Sequence, residues 1–369
     1  MERQLTMLIG GLLREGWRVT LVSRVCALPA QAGLRWIKVP CPRRPFAIAF
    51  PWFFLVASLL VWRHGHGIRH STGAIVLNRV DVATVHLCHH GLARVGPLQR
   101  ASRPSLAYRL NQPVSRIMSR LGERWCYRGG RARRLVGVSE GVARELREHF
   151  GSTGAAVGVI PNGVDPSVFR PDPGARSELR RALALGSGDL VALFVGGDWE
   201  LKGLRMVIEA VARSAGWHLV VVGRGDAHRY GELARRMGAG DRVKLVGPAA
   251  QTAPYFAMAD AFVLPSVYET FSLVTYEAAA VGLPLLATRV SGVEDLIQDG
   301  VNGWFVERDP ASIAARLAML GDDSRLRATM GAESRRAAAA FSWEHVIATY
   351  SQLFRELVQG ASGGPGMAD

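Results

Sequence analysis

Lysine is nearly absent from this sequence, with three lysines against 42 arginines. Because arginine is otherwise the cation of choice, a lysine in a loop indicates a position where a compact ammonium group is needed. Cysteine is also scarce, and the four cysteines show neither metal-ligand spacing nor a compact even framework. We therefore expect reduced thiols in a cytosol. The first residues do not match a secretory signal.

Acidic residues are few in the first part of the chain. Residues 1–150 contain 24 of the 45 Lys and Arg but 7 of the 31 Asp and Glu, a net charge of +17, whereas residues 151–369 carry −3. A surface this basic attracts phosphates, anionic lipid head groups or nucleic acid. We expect no nucleic-acid partner, because no binding motif accompanies the arginines of residues 94–134. Those arginines fit either a solvated helix face or a surface for an acceptor or lipid.

The composition allows two folded domains, since 369 residues with 49% hydrophobic content can fill two cores. In the second half, predicted strands at 191–195, 219–222 and 243–246 each run into a glycine turn, and helical segments separate them. This order implies an α/β fold with a parallel sheet and ligand-facing loops on one edge. The turns lack the Gly-x-Gly-x-x-Gly dinucleotide fingerprint and are not specific by themselves.

Residues 260–284 form the most informative stretch. An apolar run at 261–264 stops at Pro265, and an alanine-rich segment at 272–281 is closed by Gly282, so a buried strand, a loop and a helix are predicted. The loop delivers Glu269 to the carboxyl end of the strand, the edge where open α/β sheets bind ligands. A helix starting near Phe271 would aim backbone N–H groups at this edge, which suits a phosphate.

Glu269 and Glu277 are two carboxylates that can reach one crevice from a loop and a helix. Spacing alone favours two solvated surface acids. The whole segment, however, resembles the Glu-x7-Glu signature of retaining glycosyltransferases of family 4, and the resemblance covers most of the chain. It implies the GT-B fold of two facing Rossmann-like domains, with a nucleotide-diphosphate sugar as the donor substrate and no other cofactor.

The resemblance assigns the donor-binding residues. Glu269 would touch the donor sugar and Glu277 the ribose, while Lys202 would neutralise the diphosphate. The loop positions that would join them, partly through backbone N–H groups, are Thr270, Phe271, Ser272 and Leu273.

Two further donor positions follow from the resemblance. Val246 lies where the base is contacted, and Gly197 stands where many members carry an arginine, a departure that bears on how tightly the diphosphate is held. No Asp-x-Asp pattern is present, so no metal is expected.

His86 closes the predicted strand at 82–87, and the resemblance places it against the donor sugar as the second catalytic residue beside Glu269. His89 and His90 are alternatives for this role. Metal binding by the three histidines lacks supporting carboxylate or cysteine spacing, and satisfied structural histidines remain an open interpretation.

The first domain begins in an unusual order. Residues 2–15 read as an amphipathic helix and 19–23 as a strand, and a further strand is predicted at 74–77. In the family such a helix follows the first strand and a glycine-rich turn. We therefore hypothesise that Met1 is an internal methionine and that the first domain lacks its first strand.

Residues 45–62 are almost entirely apolar, contain Pro51 and are flanked by Arg43, Arg44 and Arg63. Three interpretations stay open. The segment is a helix packed on the first sheet, an interfacial helix with basic flanks on a membrane, or a span, although a span needs roughly 20 apolar residues.

We predict domains at 1–165 and 166–342, a helix at 343–358 that crosses back onto the first domain, and a disordered tail at 359–369. The expected function is metal-independent, retaining transfer of a sugar to a glycan or lipid-linked acceptor in bacterial envelope polysaccharide or lipopolysaccharide synthesis. The expected location is cytoplasmic, with a peripheral position on an anionic membrane left open. The main alternative is a non-catalytic, membrane-associated nucleotide-sugar-binding protein. A sugar-nucleotide epimerase is a weaker one, because its further acid–base residues are not found.

Overall fold

The computed structural model describes residues 2–42, 45–92 and 106–362, and these form two compact units. The first unit holds the described residues up to Gly163 and those from Trp343 onward, and the second holds Val164–Ser342. The expected boundary after residue 165 lies two residues from this division. Several positions singled out above lie outside the described residues: Met1, Arg43, Arg44, the part of the arginine-rich segment at 94–105, and 363–369 of the expected tail.

The first unit alternates strands and helices after an opening helix. Its elements are α1 (Glu2–Arg14), β1 (Val19–Ser23), β2 (Leu34–Lys38), α2 (Phe46–His64), β3 (His70–Ser71), β4 (Val80–Val85), α3 (His89–Leu92), α4 (Leu106–Tyr127), β5 (Ala132–Gly137), α5 (Glu140–Phe150) and β6 (Ala156–Val159). Ser139 caps α5, because its hydroxyl accepts a hydrogen bond from the Val142 N–H at 3.2 Å.

The second unit has the same alternation. Its elements are α6 (Pro173–Ala182), β7 (Leu190–Val195), α7 (Leu204–Arg213), β8 (Trp217–Val222), α8 (Ala227–Arg236), β9 (Val243–Gly247), α9 (Ala253–Met258), β10 (Ala261–Leu264), α10 (Leu273–Val281), β11 (Leu285–Ala287), β12 (Gly303–Phe305), α11 (Pro310–Asp322) and α12 (Ser324–Ala339). The chain then returns to the first unit with α13 (Trp343–Ser362).

All strands pair in parallel, so each unit is a Rossmann-like α/β domain. The sheet of the second unit has the order β12-β11-β10-β7-β8-β9. Its central strands β7 and β10 are apolar and buried along nearly their whole length, as expected where helices cover both faces of a parallel sheet.

The parallel strands of the first unit are in two pieces, the pair β1-β2 and the sheet β3-β4-β5-β6. Within the described residues no strand joins β1 to β3. A cavity of about 480 Å³ is lined by β1, β3 and the apolar sides of α1 and α2. The backbone edges of β1 and β3 that border this cavity therefore have no strand partner.

Helices α1 and α13 close the core of the first unit. Leu8 and Leu12 of α1 are buried in one cluster with Val346 and Tyr350 of α13. The Trp17 indole N–H donates to the Ser351 hydroxyl at 2.7 Å. This returning helix therefore completes the first unit, which the first 163 residues alone leave open on that side.

Two sequence predictions in the first unit are wrong. Residues 74–77 form no strand, because their backbone is held by side chains: the Leu77 N–H donates to Ser58 Oγ at 2.7 Å, and the Val76 carbonyl accepts from Cys126 Sγ at 3.2 Å. The expected disordered tail begins too early, because α13 continues through residues 359–362.

Candidate active site

The strand order of the second unit creates one switch point. From β7 the chain proceeds through β8 to β9 in one direction, whereas β10, β11 and β12 lie on the other side of β7. The loops that follow β7 and β10 therefore leave the same sheet edge side by side and diverge above it. Ligands of open α/β sheets bind at such points.

The loop after β7 is shaped to carry Lys202. Gly196 has φ +148°, and a Cβ atom there would lie 2.6 Å from Lys202 Cδ, so the lysine stem passes directly over this glycine. The Trp199 indole, which is buried, donates to the Gly196 carbonyl at 2.9 Å. Gly203 has φ +77° and approaches the Pro265 carbonyl so closely that a Cβ would lie 2.5 Å from its oxygen. Gly196 therefore makes room for the lysine stem, and Gly203 brings this loop against the loop after β10.

Lys202 and Glu269 meet across these two loops. Lys202 Nζ lies 2.5 Å from Glu269 Oε1, and Ser266 Oγ donates to the same carboxylate oxygen at 2.9 Å. The two side chains are 21% and 16% exposed, so the ion pair is shielded from bulk water but open to a ligand. The structure thus places the predicted diphosphate cation and the predicted sugar-binding carboxylate in direct contact.

Arg308 was not identified from the sequence, although it ties the two loops together. Its guanidinium donates to the carbonyls of Leu201 and Pro265, each at 3.1 Å. It therefore fixes the residue before Lys202 relative to the start of the loop that carries Glu269. One arginine among 42 carries no pattern that could have indicated this role. Ser266 was also missed, although its position directly after a buried strand and a proline was a usable signal.

Helix α10 begins at Leu273, slightly later than expected. Its N-cap residue, Ser272, makes no side-chain cap, and the Ser272 hydroxyl instead accepts a hydrogen bond from Thr275 Oγ1 at 2.8 Å. One expectation needs correction: the Leu273 N–H donates to the Phe271 carbonyl at 3.0 Å and so is engaged within the protein. The Phe271 ring stacks on Tyr276 with 4.2 Å between centroids, which fixes the entry to the helix.

The remaining positions that the sequence predicted to bind the donor are distributed over the elements of the second unit. Gly197 is the second residue after β7, and Thr270 lies half-buried in the loop before α10. Glu277 is half-buried on α10, about two turns beyond Glu269. Val246 lies near the end of β9, two strands from β7. These positions therefore extend from β7 to β9 and α10, whereas Lys202 and Glu269 lie at the switch point.

His86 belongs to the first unit, at the end of β4. It lines a small cavity with Gln4, Thr72 and Asn162. Burial lowers its pKa to about 4, so the imidazole is neutral near pH 7 and can both donate and accept hydrogen bonds.

His70, which the sequence did not single out, borders the same cavity. Its Nε2 lies 2.8 Å from Thr84 Oγ1, which is in turn 2.8 Å from the Tyr350 hydroxyl. Burial also lowers the pKa of His70 to about 4.

His89 and His90 have a structural partner. Their backbone N–H groups donate to the two carboxylate oxygens of buried Glu123, at 2.7 and 3.2 Å, and His90 Nδ1 lies 2.7 Å from Glu123 Oε2. Glu123 thereby accepts hydrogen bonds from the first backbone N–H groups of α3, which have no partner within the helix. Over the described part of the chain, no three His, Cys, Asp or Glu side chains are grouped as metal ligands.

Comparison with known proteins places both units among glycosyltransferases. A family model described as Glycosyltransferase Family 4 matches residues 1–168, and one described as Glycosyl transferases group 1 matches residues 189–323. The D-inositol 3-phosphate glycosyltransferase of Geodermatophilus obscurus is 32% identical over 309 residues, which cover 77% of this chain and 64% of that protein. The protein of the same name from Kineococcus radiotolerans is 31% identical, with 78% and 69% covered. The chain spans between 56% and 64% of the length of three such relatives.

Solved structures show the same fold. WaaG, a glycosyltransferase involved in lipopolysaccharide biosynthesis, superposes with a TM-score of 0.75 at 18% identity, covering 98% of this chain and 96% of its own. Anabaena Alr3699/HepE, solved in complex with UDP-glucose, superposes with a TM-score of 0.65 at 17% identity, covering 97% and 95%. At these identities the likeness concerns the fold alone.

Proposed function

Because this chain belongs to glycosyltransferase family 4, the group 1 glycosyl transferases, we propose that it transfers a sugar from a nucleotide-diphosphate donor to a glycan or lipid-linked acceptor. The observation that carries the proposal is the contact of Lys202 with Glu269 at the switch point of the second unit. A cation and a carboxylate held there on rigid loops provide the two charges that the reaction needs, one for the diphosphate and one for the sugar.

Departure of the nucleotide diphosphate places negative charge on its phosphate oxygens. The Lys202 ammonium is the group that neutralises this charge, and the start of α10 adds the positive end of a helix dipole. Lys202 is paired with Glu269, and in this proposal the diphosphate takes the place of the carboxylate as the partner of the lysine. Glu269 is then released toward the sugar. No metal ion is required in this scheme, because the lysine supplies the neutralising charge.

The other predicted site residues bind either the nucleotide or the transferred sugar. Glu277 binds the ribose hydroxyls from α10, and Gly197, Thr270, Phe271, Ser272 and Val246 complete the donor site. His86, neutral at physiological pH, hydrogen-bonds the transferred sugar and supports the oxocarbenium-like transition state. We also propose that the configuration at the anomeric carbon is retained, because the segment from Glu269 to Glu277 resembles the signature of the retaining enzymes of family 4. We place the reaction in the cytoplasm.

Two acceptor classes merit testing. An envelope polysaccharide or lipopolysaccharide acceptor is favoured by the apolar and basic first unit and by the fold shared with WaaG. A phosphorylated inositol is the second candidate, because relatives at 31–32% identity are named D-inositol 3-phosphate glycosyltransferases. The non-catalytic alternative also stays relevant, since the strands of the first unit are in two pieces.

A donor screen followed by a transfer assay tests the proposal. UDP-glucose is the first donor to try, because Alr3699/HepE binds it. A donor at about 100 times its dissociation constant should stabilise the protein by roughly 2.7 kcal/mol, which a thermal shift detects. Incubation with D-inositol 3-phosphate or an envelope glycan should then give a product whose anomeric configuration, read by NMR, matches that of the donor. Donor binding with neither hydrolysis nor transfer would favour the non-catalytic binding protein, and an inverted product would refute retention.

A further inference from the structure

Helix α2 exposes a continuous apolar stripe. Only Ala57 and Ser58 of its 19 residues are buried. The exposed large side chains, each between 51% and 73% accessible, recur at intervals of four and three residues and so lie on one face: Ile48, Trp52, Leu55, Leu59 and Trp62. Isolated exposed apolar residues are ordinary, but a stripe along a whole helix marks a surface that contacts something apolar.

The same helix is held to the protein by its opposite face. Ala57 and Ser58 are buried, the Ser58 hydroxyl accepts a hydrogen bond from the Leu77 N–H at 2.7 Å, and the Phe50 ring approaches Gly122 of α4. Helix α2 is about 28 Å long, and its length and apolar composition are sufficient for a membrane span. A helix that crossed a bilayer would have to break these contacts with the rest of the first unit. The geometry therefore favours a helix that lies on the protein and presents one apolar side.

Helix α4, which contacts α2, carries a second apolar row. Val114, Ile117, Leu121 and Trp125 are 41% to 59% exposed. Beside this row runs a set of exposed arginines at every fourth position, Arg116, Arg120 and Arg124, followed by Arg128 just after the helix. Apolar residues flanked by long basic side chains are typical of helices that lie in the membrane interface, where arginine reaches the head groups.

Charge complementarity identifies the partner. Among the described side chains of α2 and α4, Glu123 is the one carboxylate, and it is buried beneath the surface at 1% exposure. Arg63 adds a further exposed cation at the end of α2. A symmetric contact with a second copy would bring the arginine rows together without acidic partners, which is unfavourable. A negatively charged lipid surface satisfies both the cations and the apolar rows.

We propose that the exposed faces of α2 and α4 form a docking surface for an anionic lipid bilayer, with Leu55, Leu59 and Trp62 inserted among the acyl chains and the α4 arginines bound to head groups. The surface belongs entirely to the first unit and is separate from Lys202 and Glu269. The inference therefore stands or falls independently of the proposed transfer reaction.

Co-sedimentation of the full chain with phosphatidylcholine vesicles, with and without phosphatidylglycerol, tests this surface in the absence of any donor. We expect binding to the phosphatidylglycerol vesicles that weakens with added salt, and little binding to phosphatidylcholine alone. The double variant Leu59→Glu/Trp62→Glu should lower the partition coefficient by at least about tenfold. The matched control, Val301→Glu/Met319→Glu, introduces the same two charges at two exposed apolar residues of the second unit and should leave binding unchanged.

A second variant keeps the test decisive if the first one folds poorly. Arg116→Gln/Arg120→Gln/Arg124→Gln should lose binding to phosphatidylglycerol vesicles by at least about tenfold and lose the salt dependence, with an unchanged circular dichroism spectrum. Absence of binding by the unmodified protein, or equal binding by well-folded variants of both kinds, would overturn the proposal. A dimer in size-exclusion chromatography that both variants dissociate would assign the surface to a second copy of the chain instead.

Discussion

Replacement of Lys202 by methionine removes the ammonium group from the switch point and keeps a side chain of similar length. Lys202 Nζ lies 2.5 Å from Glu269 Oε1, whereas the nearby Arg308 guanidinium donates to the backbone carbonyls of Leu201 and Pro265. The Lys202 stem, packed over Gly196, is largely reproduced by methionine. The substitution therefore tests the charge and leaves the loop packing nearly intact.

The expected loss follows from one charged contact. A hydrogen bond to a charged group contributes about 1.5–3 kcal/mol, and each 1.4 kcal/mol corresponds to about tenfold in rate. We therefore expect kcat/KM for the nucleotide sugar to fall by about 10-fold to 150-fold. The free energy of unfolding should change by only about 1 kcal/mol, because Glu269 keeps its hydrogen bond from Ser266 and stays partly in contact with water.

The assay compares Lys202→Met with Lys38→Met, which makes the same chemical change at an exposed position of β2. Sugar transfer and nucleotide diphosphate affinity by calorimetry are measured for both. If Lys202→Met retains the turnover and donor affinity of the control, Lys202 does not neutralise the diphosphate. The double variant with Glu269→Gln should lose less than the sum of the single losses, because the two side chains are paired.

Three further predictions concern the same two units. Glu269→Gln should lower the rate of sugar transfer and leave nucleotide diphosphate binding unchanged or tighter, because it frees Lys202. Glu277→Ala should weaken binding of the nucleotide diphosphate itself, and equal losses of affinity in calorimetry would contradict these roles. Activity should persist in excess EDTA, and loss that Mg²⁺ or Mn²⁺ reverses would show a metal requirement. The melting temperature should be highest above about pH 6.5 and fall as the pH drops toward 4, because unfolding lets the buried side chains of His70 and His86 take up protons. His70→Gln should flatten this pH profile, and an unchanged profile would contradict the role of His70 in it.

Local patterns in the sequence were sufficient to predict most of the strands of the second unit. Strands β7, β8 and β10 contain continuous apolar runs that end before glycine or proline, so β10 was predicted at its observed limits and β7 and β8 within two residues. Strand β9 includes Lys244 and is mostly half-buried, but Gly247 marks its end and it was predicted within one residue. The position of Glu269 after a buried strand indicated a ligand-facing loop for the same reason. The resemblance to family 4 rested on this segment, and the family models and the fold confirm it.

Only the tertiary structure decided which side chains meet. Lys202 and Glu269 are 67 residues apart and come into contact because β7 and β10 are neighbours in the sheet, an order that local periodicity does not encode. Arg308 joins their loops from a third segment, and residues 74–77 lost their predicted strand to side-chain partners on α2 and α4. Composition marked α2 as apolar, but which of its faces is covered depends on the elements that surround it. The sequence by itself thus determined the elements and the types of charge, whereas the contacts between distant segments determined the site and the exposed surface.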